Sequence, residues 1–471
     1  MDKILLKIKR LIPKNIFTIL QPAYHFLLSW LAAVIYRWPS EKLIVIGITG
    51  TTGKTTSVYL IAKTLEEAGF KIGFTSTAIL NDGKKEWLND KKMTMLGRFF
   101  TQMMLSRMVK NKCQYAIVET TSEGIKQFRH RFINYDIIIF TGLYSEHLEA
   151  HGGFLNYKEA KGKLFAHLKK CKTKYADENK YIIKRISGFK KLGLNRVKKT
   201  IIANLDNKHA GYFLDFWAEE KIGFTNIDIA DSSGLKANIA NENIQIIKYG
   251  GVEVSSAGVN FKINKINFQL QLLGGFNAAN AMTAVCASLT QGLSWEQIKK
   301  ALGNIKGVAG RLEKINEGQP FTVIIDYAFE PNAVNKLYEA IKVIPHKKTI
   351  HVLGACGGGR DAVKRPLLGK IAGENSNIVI ITNEDPYDDD PQIIIDQVAI
   401  GAEHVGKIPT VNLFKIQDRR EAIEKALALA EEEDMVLITG KGSEQAICVA
   451  GGERVPWDDR AVVRGILENR Q

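Results

Sequence analysis

The chain has 471 residues, of which 45% are hydrophobic, and its formal net charge is +15. This length exceeds one ordinary domain, and the composition excludes a disordered or fibrous protein. Basic residues are densest at Lys184–Lys199 but form no aromatic-interleaved motif of a nucleic-acid module, so we expect no nucleic-acid partner. The positive charge fits solvated lysines, an anionic small substrate or an anionic membrane surface.

The cysteines indicate a reducing compartment. There are five of them, scattered along the chain: Cys113, Cys171, Cys286, Cys356 and Cys448. Their odd number and the absence of a C-x-x-C pair argue against a disulfide framework or a zinc site. We therefore expect a cytoplasmic protein.

The N-terminal segment Asn15–Tyr36 contains no Asp, Glu, Lys or Arg and is about long enough to span a bilayer. Gln21, Pro22, His25 and Ser29 weaken a spanning helix, and no small-residue cleavage site follows. The basic residues that precede it are Lys3, Lys7, Lys9, Arg10 and Lys14. Three interpretations stay open: a helix packed on the following domain, an interfacial anchor on anionic lipid, or a true span.

A glycine-rich turn follows the first apolar run, Leu43–Ile48. Gly50–Thr56 reads Gly-Thr-Thr-Gly-Lys-Thr-Thr, and the next residues, Ser57–Ala68, have a helical pattern. This order binds nucleotide phosphates, because backbone N–H groups, a helix N-terminus and a lysine all favour the anion, and a threonine can offer its hydroxyl to Mg²⁺. The usual first glycine is replaced by Ile48. A tight turn would need neither the lysine nor the two threonines, so the motif predicts a phosphate site.

Two further apolar runs end in polar residues. Tyr115–Val118 is followed by Glu119, and Asp136–Phe140 is followed by Thr141. Short apolar runs between helical segments predict a parallel sheet, at whose carboxyl edge the phosphate loop and these polar residues meet. Glu119 can hold Mg²⁺ through oxygen or be a solvated strand end. The segment Thr141–Gly153 contains two histidines and two glutamates, which suggest metal binding or catalysis, or else surface histidines.

The remainder predicts a second domain. Strand-like alternation from about 196 to 271 indicates a small β-rich part, and a boundary is expected near Gly307. The later apolar runs are Phe321–Asp326, Thr349–Gly354, Ile378–Thr382 and Met435–Thr439. The predicted fold class is α/β, with a P-loop-type parallel-sheet domain that carries the β-rich insertion and a C-terminal Rossmann-like domain. The expected limits are 1–42 for an apolar and basic helical segment, 43–307 for the central domain and 308–471 for the C-terminal domain.

Together these motifs resemble the Mur ligase family, most closely its MurE-type enzymes, which add the third residue of the peptidoglycan peptide. The resemblance extends over nearly the whole chain, from about Leu43 to Ile466. The matched segments are Gly50–Thr56, Glu119–Ser122, Thr141–Gly152, Tyr157–Lys161, Gly275–Asn277, Gly310–Glu313, Asp326–Ala328, Gly357–Arg365, Asp385–Pro386, Gly440–Glu444 and Asp458–Arg460. So many matches in order are a specific signal.

The resemblance implies roles for the matched residues. The catalytic residues would be Lys54, Lys161, His147 and Glu119. ATP would be bound by Gly50, Thr51, Thr52, Gly53, Lys54, Thr55, Thr56, Asn277, Arg311 and Asp326. Mg²⁺ would be held by Thr55, Glu119, His147 and a carbamylated Lys161, because carbamylation turns the ammonium into an anion. The substrates would be bound by Thr121, Ser122, Arg360, Asp385, Tyr387, Gly440 and Glu444.

Several positions depart from the family pattern. Phe329 replaces a histidine, Glu123 stands where a substrate-side histidine is usual, and Gly142 stands where an asparagine is. Tyr387 replaces the arginine that pairs with the distal carboxylate of meso-diaminopimelate. The surrounding run, Glu384–Asp390, is acidic and would suit a second ammonium, as on L-lysine, although Asp388–Asp390 would also be explained as a run that caps the next helix.

The implied reaction is ATP-dependent addition of a basic amino acid to the D-Glu of a muramoyl-dipeptide through an acyl phosphate. About forty residues precede the first strand, too few for the domain that holds UDP in this family. The acceptor is therefore expected either to be UDP-linked, with the UDP group held in another way, or to be lipid-linked. The expected protein is a monomer, with possible membrane-surface contact through residues 1–38. Two alternatives are a MurT-like ligase acting on a lipid-linked precursor and a non-catalytic nucleotide-binding protein at the membrane.

Overall fold

The structure is a computed structural model that describes residues 14–144, 152–183, 194–227, 243–359 and 362–469. His147 and Arg360 lie outside the described residues. The helices are α1 (Lys14–Ile35), α2 (Lys54–Glu67), α3 (Arg98–Lys110), α4 (Ser122–Lys126), α5 (Phe154–Leu168), α6 (Ala210–Leu214), α7 (Phe276–Thr290), α8 (Trp295–Gly303), α9 (Pro331–Ile341), α10 (Lys364–Asn375), α11 (Pro391–Glu403), α12 (Arg419–Leu429) and α13 (Asp459–Glu468).

The strands are β1 (Ile44–Thr49), β2 (Ile72–Thr75), β3 (Ile79–Asn81), β4 (Glu86–Leu88), β5 (Tyr115–Glu119), β6 (Ile137–Phe140), β7 (Lys174–Ala176), β8 (Asn195–Val197), β9 (Thr200–Asn204), β10 (Glu220–Thr225), β11 (Ile244–Ser255), β12 (Gly258–Ile263), β13 (Ile266–Leu270), β14 (Glu313–Ile315), β15 (Thr322–Ile325), β16 (Thr349–Leu353), β17 (Ile378–Ile381), β18 (Leu413–Lys415), β19 (Met435–Ile438), β20 (Ala446–Cys448) and β21 (Arg454–Pro456). The chain forms two compact units. The first comprises Met1–Glu86, Met93–Lys248 and Met282–Ser294, and the second Trp87–Lys92, Tyr249–Ala281 and Trp295–Gln471.

A parallel sheet forms the core of the first unit. Its neighbouring strands β10, β9, β6, β1, β5 and β2 all pair in parallel, and β3 joins β2 in the antiparallel sense. Every residue of β1 is buried, as expected of a central strand covered on both faces. The register pairs Ile48 with Glu119 and Thr49 with Phe140, so the ends of β1, β5 and β6 meet as predicted.

A buried carboxylate stabilises this sheet at the N-terminal ends of its parallel strands, opposite to the phosphate loop. Asp136, fully buried just before β6, accepts a hydrogen bond from the backbone N–H of Val45 at 2.8 Å. Its two oxygens also accept bonds from the ammonium groups of Lys174 at 2.5 Å and Lys199 at 2.8 Å. Burial lowers the pKa of Lys174 to about 8, although Asp136 acts in the opposite direction. The carboxylate therefore links β1 to β6 and compensates two cations that have no access to water.

The second unit contains a six-stranded sheet in the order β14, β15, β19, β16, β17 and β18. The pairs are parallel except for β14 with β15. Buried apolar side chains cover both faces of this sheet, which is the arrangement of a Rossmann-like layer. The second unit also contains an antiparallel part, in which β12 pairs with β13 and with β11 from Tyr249 onward.

The sheets confirm the predicted α/β fold class, and the apolar runs at Leu43, Tyr115, Phe321, Thr349, Ile378 and Met435 are strands as predicted. The predicted β-rich range of about 196–271 contains β9 to β13. Strands β9 and β10 pair in parallel within the main sheet, and Thr200–Asn204 is buried along its whole length. The compact grouping also places Tyr249–Ala281 with the C-terminal unit, whereas the predicted boundary lay near Gly307.

Helix α1 contains almost all of the uncharged N-terminal segment, Asn15–Tyr36. Ser29, Ala32 and Ala33 are buried on its inner face, and the helix packs on α3 of the same unit. No helix within the described part of the chain is long and apolar enough to cross a membrane.

Replacing Asp136 by Asn should destabilise the first unit. The neutral amide would leave Lys174 and Lys199 buried without a counter-ion, which costs about 3 kcal/mol or more of unfolding free energy. Urea unfolding followed by circular dichroism measures the change. The matched control is Glu220→Gln, which removes a partly exposed pair with Lys198 and should cost less than about 1 kcal/mol. Equal losses in the two variants would contradict the role given to Asp136.

Candidate active-site residues

The loop Gly50–Thr56 connects β1 to α2, as predicted. Gly53 has φ of 79°, a left-handed conformation that favours glycine, and it is the N-cap of α2. A β-carbon at Gly50 would lie 2.0 Å from Oγ1 of Thr141, so only glycine fits at this point. The helix then begins at Lys54, which places the positive end of its dipole at the loop. This is the geometry of an anion site at a helix N-terminus.

The segment after β6 holds the loop in place. The backbone N–H of Thr51 donates to the carbonyl of Gly142 at 2.8 Å, and Oγ1 of Thr141 donates to the carbonyl of Thr52 at 2.6 Å. Oγ1 of Thr51 accepts from the N–H of Tyr144 at 3.0 Å. Gly142, which departs from the family pattern, contributes through its carbonyl and thus needs no side chain for this contact.

Glu119 lies at the end of β5 with only 1% of its surface exposed. One of its carboxylate oxygens, Oε2, accepts from the hydroxyl of Thr55 at 2.9 Å and from the N–H of Thr77 at 2.8 Å. The other oxygen, Oε1, accepts from the hydroxyl of Thr77 at 3.0 Å. The predicted pair of oxygen ligands is therefore in direct contact, and Thr77 holds the carboxylate from the opposite side.

Lys161 reaches the same loop from α5. Its side chain is 1% exposed, its ammonium donates to the carbonyl of Gly50 at 2.8 Å, and it lies 4.6 Å from the ring centroid of Tyr157. The hydroxyl of Tyr157 in turn forms a hydrogen bond of 3.2 Å with Oγ1 of Thr51. A buried lysine side chain against the phosphate loop is costly unless it has partners, so this position is not that of an ordinary exposed helix lysine.

Thr121 and Ser122, which were predicted to bind substrate, lie at the start of α4. Oγ1 of Thr121 accepts from the N–H of Gly124 at 3.1 Å and so caps the helix. Ser122 is buried, and Glu123 accepts from the side-chain amide of Gln127 at 2.7 Å. The two predicted residues lie two and three positions after Glu119 along the chain.

In the second unit, Asn277 is buried, and its side chain forms hydrogen bonds with residues close to it in the sequence. Its amide donates to the carbonyl of Leu273 at 2.7 Å, and its oxygen accepts from Asn280 at 2.8 Å. Phe329, which replaces the expected histidine, packs edge-on against Tyr327 with 5.1 Å between ring centroids. The substitution at this position is thus accommodated by aromatic packing.

Arg311 and Asp326, both predicted to bind nucleotide, are neighbours in the second unit. The guanidinium of Arg311 lies 4.4 Å from the ring centroid of Tyr327. The two oxygens of Asp326 accept from the N–H groups of Leu312 and Ala328, each at 2.7 Å. Burial raises the pKa of Asp326, and Arg311 partly opposes this effect. Asp326 therefore fixes the turn that presents Arg311.

The predicted amino-acid residues Asp385 and Glu444 form a compact ionic cluster. The ammonium of Lys441 contacts both carboxylates, at 2.9 and 3.0 Å. The ammonium of Lys92 lies 2.7 Å from Asp385 and also bonds to Glu444. Burial alone would raise the pKa of Asp385, but Lys441 and Lys92 outweigh it and hold the pKa below its usual value. The hydroxyl of Tyr327 donates to the other oxygen of Glu444 at 3.3 Å.

Close packing surrounds this cluster. A β-carbon at Gly440, which has φ of 101°, would lie 2.3 Å from Oε2 of Glu384, so this position requires glycine. Glu384 is buried, and burial raises the pKa of its carboxyl group. Tyr387 packs against Gly358, and its N–H donates to the carbonyl of Cys448 at 3.1 Å.

The three aspartates at 388–390 have local roles. Asp388 accepts from the N–H of Gly451 at 2.8 Å, and Asp389 lies 3.3 Å from Arg365. Asp390 caps α11 through the N–H of Gln392 at 2.8 Å. The capping explanation therefore applies to Asp390, and Asp385 is the residue of the acidic run that joins Glu444 in the ionic cluster.

Within the first unit the structure brings Thr55, Glu119 and Lys161 to the phosphate loop, and within the second unit Lys441 joins Asp385 to Glu444. Asn277, Thr121 and Ser122 have the local contacts described above, and His147 and Arg360 lie outside the described residues. Among the described side chains, no group of three from His, Cys, Asp and Glu is arranged to hold a metal ion. Three contributors were not found from the sequence: Thr77, Lys92 and Lys441. Lys441 lies inside the matched segment Gly440–Glu444, which was a usable signal, whereas Thr77 and Lys92 belong to no motif.

Family models and individual relatives match most of this chain. The model of the Mur ligase middle domain matches residues 48–194, and that of the Mur ligase glutamate ligase domain matches residues 310–442. A UDP-N-acetylmuramyl-tripeptide synthetase of Roseiflexus sp. (strain RS-1) is 33% identical over 446 residues, which cover 93% of this chain and 81% of the relative. A UDP-N-acetylmuramoyl-L-alanyl-D-glutamate--2,6-diaminopimelate ligase of Geobacillus thermodenitrificans (strain NG80-2) is 30% identical, with coverage of 97% and 85%.

Solved structures show the same fold. A UDP-N-acetylmuramoyl-L-alanyl-D-glutamate--2,6-diaminopimelate ligase superposes with a TM-score of 0.55 at 25% identity, covering 91% of this chain and 79% of the other. A folylpolyglutamate synthase of Mycobacterium tuberculosis has a TM-score of 0.59 at 13% identity, with coverage of 88% and 92%, and supports the fold alone. With both domain models matched in order and relatives above 30% identity along most of their length, the chain belongs to the Mur ligase family of ATP-dependent ligases.

Proposed function

We propose that this ligase joins an amino acid to the D-glutamate carboxylate of a muramoyl-dipeptide peptidoglycan precursor and consumes ATP with Mg²⁺. The observation that carries the proposal is the contact between the hydroxyl of Thr55 and the carboxylate of Glu119, 2.9 Å apart at the phosphate loop. The names of the relatives support the choice of acceptor, since several are tripeptide synthetases or diaminopimelate ligases.

The residues present fit both cofactors. The Gly50–Thr56 loop at the start of α2 suits the phosphates of a nucleotide. Mg²⁺ prefers oxygen ligands and is commonly held by one or two protein groups together with phosphates and water, which suits Thr55 and Glu119. When bound, the metal would neutralise charge on the phosphates. His147 stays a predicted ligand on the basis of the family resemblance.

Lys161 fits the role of the carbamylated lysine. A carbamate leaves one N–H on Nζ, so the present bond to the carbonyl of Gly50 can persist while the new carboxylate extends from the same atom. The modification would also remove a positive charge that is buried beside the loop. Burial of an ammonium is unfavourable, whereas an anion at this place would attract the metal.

The reaction then proceeds in two balanced steps. An oxygen of the D-glutamate carboxylate attacks the γ-phosphorus of ATP, ADP leaves, and an acyl phosphate forms. The neutral amine of the incoming amino acid attacks the acyl carbon, inorganic phosphate leaves, and the nitrogen loses a proton to give the amide. The chain's own contribution is to position these groups and neutralise charge. Lys54, whose ammonium donates to the carbonyl of Thr51 at 2.7 Å in the phosphate loop, is proposed to contact the transferred phosphoryl group. Thr121 and Ser122 are proposed to contact the acceptor.

We propose further that the amino acid carries a second ammonium group, as L-lysine does. In the structure the ammonium of Lys92 binds between Asp385 and Glu444, so this carboxylate pair accommodates a primary ammonium. Tyr387 lacks the charge needed to pair with a distal carboxylate. A side-chain ammonium of the substrate would take the place of Lys92, near Gly440, and Arg360 stays a predicted substrate residue on the basis of the family resemblance.

The remaining assignments are also proposals. The domain limits are 1–42, 43–307 and 308–471, and the carrier of the acceptor is UDP or a lipid. A cytoplasmic location agrees with the cysteines, all of which lie at described positions and none of which forms a disulfide.

Replacing Lys54 by Met should abolish ligation. The substitution keeps the length of the side chain and removes the charge at the transferring phosphoryl group, which we expect to lower kcat at least about a hundredfold. Release of ADP is measured with UDP-linked and lipid-linked muramoyl-dipeptides in parallel. Lys63→Met, on the same helix, should leave the rate unchanged. Full activity of Lys54→Met would refute the assignment, and failure of both acceptors would refute the proposed function.

Replacing Thr77 by Val should weaken metal binding. It removes the hydroxyl that donates to Glu119 while the backbone N–H bond stays, and the loss of such a supporting contact costs about 10-fold to 100-fold in metal affinity. The Mg²⁺ concentration for half-maximal ADP release measures the effect. Thr77→Ser, which retains the hydroxyl, should behave like the parent. An unchanged Mg²⁺ requirement in Thr77→Val would contradict a metal-positioning role.

A panel of amino acids tests the ammonium site. We expect kcat/KM for L-lysine to exceed that for meso-diaminopimelate by about tenfold or more, because Asp385 and Glu444 would repel a distal carboxylate and Tyr387 has no charge to pair with it. Glu444→Gln should reduce this preference, whereas Asp388→Asn, outside the cluster, should not.

Lys92→Met completes this test. If the substrate ammonium takes the place of Lys92, this variant should have a lower KM for L-lysine. It should still prefer L-lysine to meso-diaminopimelate. Equal kcat/KM for L-lysine and meso-diaminopimelate in the parent would remove the proposal for the amino acid and leave that for the ligase intact.

A further inference from the structure

The two faces of α1 have different environments. On the inner face, Ser29 is 2% exposed, and its hydroxyl donates to the carbonyl of Phe128 at 3.0 Å. His25 bonds to the guanidinium of Arg98, and burial together with that cation lowers the pKa of His25 to about 4. At the edge of the helix, Phe26 packs edge-on against Phe132 with ring centroids 5.2 Å apart. These contacts fix the rotation of α1 on the first unit.

The outer face is apolar and exposed. Its large side chains recur at helical spacing and are each more than a third exposed: Leu20, Tyr24, Leu27, Trp30, Leu31 and Ile35. Leu27 has 58% of its surface exposed. The sequence has no Asp, Glu, Lys or Arg between Lys14 and Arg37, so no charged residue interrupts this face. A helix that faces water normally presents polar residues there, and a continuous apolar patch marks an interaction surface.

The charged residues that precede and follow α1 in the sequence indicate which kind of partner this face would bind. Five basic residues and one acidic residue occur before the uncharged segment: Lys3, Lys7, Lys9, Arg10 and Lys14, with Asp2. At the other end stand Arg37 and an exposed Trp38. An apolar helix that follows a basic stretch of sequence is typical of segments that bind anionic lipid surfaces. Trp and Tyr are common at the boundary between the apolar and aqueous parts of a membrane. A second copy of the chain would bring like charges together instead.

We propose that the outer face of α1 docks the protein on the surface of an anionic lipid bilayer. The helix lies in the plane of the interface, with its apolar side chains among the acyl chains, and the positive charge that precedes it in the sequence contributes attraction to anionic lipid. This orientation is compatible with the finding that no described helix is long and apolar enough to cross a membrane. The docking does not depend on which acceptor or amino acid the enzyme uses.

Co-sedimentation of the full chain with vesicles tests the proposal. The parent should bind vesicles of phosphatidylcholine mixed with phosphatidylglycerol, and bind pure phosphatidylcholine vesicles less tightly. Leu27→Ser combined with Leu31→Ser should weaken binding at least about tenfold, because two exposed side chains no longer enter the apolar phase. The matched control, Ile408→Ser with Val411→Ser, removes two side chains that are 56% and 65% exposed elsewhere and should bind like the parent.

A second variant separates the charge contribution. Replacing Lys3, Lys7, Lys9 and Arg10 by Gln should weaken binding to anionic vesicles and reduce its salt dependence, with the circular dichroism spectrum unchanged. Vesicle binding that survives the double Leu substitution overturns the proposal, as does absence of binding by the parent. Light scattering that finds a dimer in the parent and a monomer in the double Leu variant, without vesicle binding, would assign the face to a second copy.

Discussion

The close approach of two loops in the first unit is the constraint on which the candidate phosphate site depends. Gly50 lies so near Thr141 that a β-carbon would be 2.0 Å from its hydroxyl oxygen. The absence of a side chain lets the segment after β6 donate to and accept from the phosphate loop, and it leaves the carbonyl of Gly50 available to Lys161. A rigid loop of this kind needs little reorganisation when an anion binds, which is how electrostatic stabilisation becomes effective in catalysis.

The candidate amino-acid site depends on charge compensation. Asp385 and Glu444 are two nearby carboxylates in a largely buried place, and Lys441 contacts both. One cation cannot neutralise two anions, so the site requires a second positive group, which in the structure is Lys92. A substrate ammonium would satisfy the same requirement. With Lys441 and Lys92 both present, the two carboxylates are already compensated, so under the proposal a substrate ammonium enters by replacing Lys92.

The sequence predicted most of the fold but only part of the site. The strands at Leu43, Tyr115 and Met435 were predictable because buried parallel strands are continuous apolar runs. The contact between Thr77 and Glu119 joins residues that are 42 positions apart, and nothing in the residues around Thr77 forms a motif. The pairing of the strands within 196–271 was not predictable for a related reason: pairing partners decide whether a strand is parallel, and strand patterning alone does not specify the partner.

The inner face of α1 connects the proposed membrane surface to the acceptor side of the ligase. Ser29 bonds to the carbonyl of Phe128, and Arg98, which contacts His25, donates to the carbonyl of Gln127 at 2.8 Å. Both carbonyls directly follow α4, whose first turn carries Thr121 and Ser122. A protein held on a bilayer by the outer face of α1 would therefore keep its proposed acceptor residues close to the lipid headgroups.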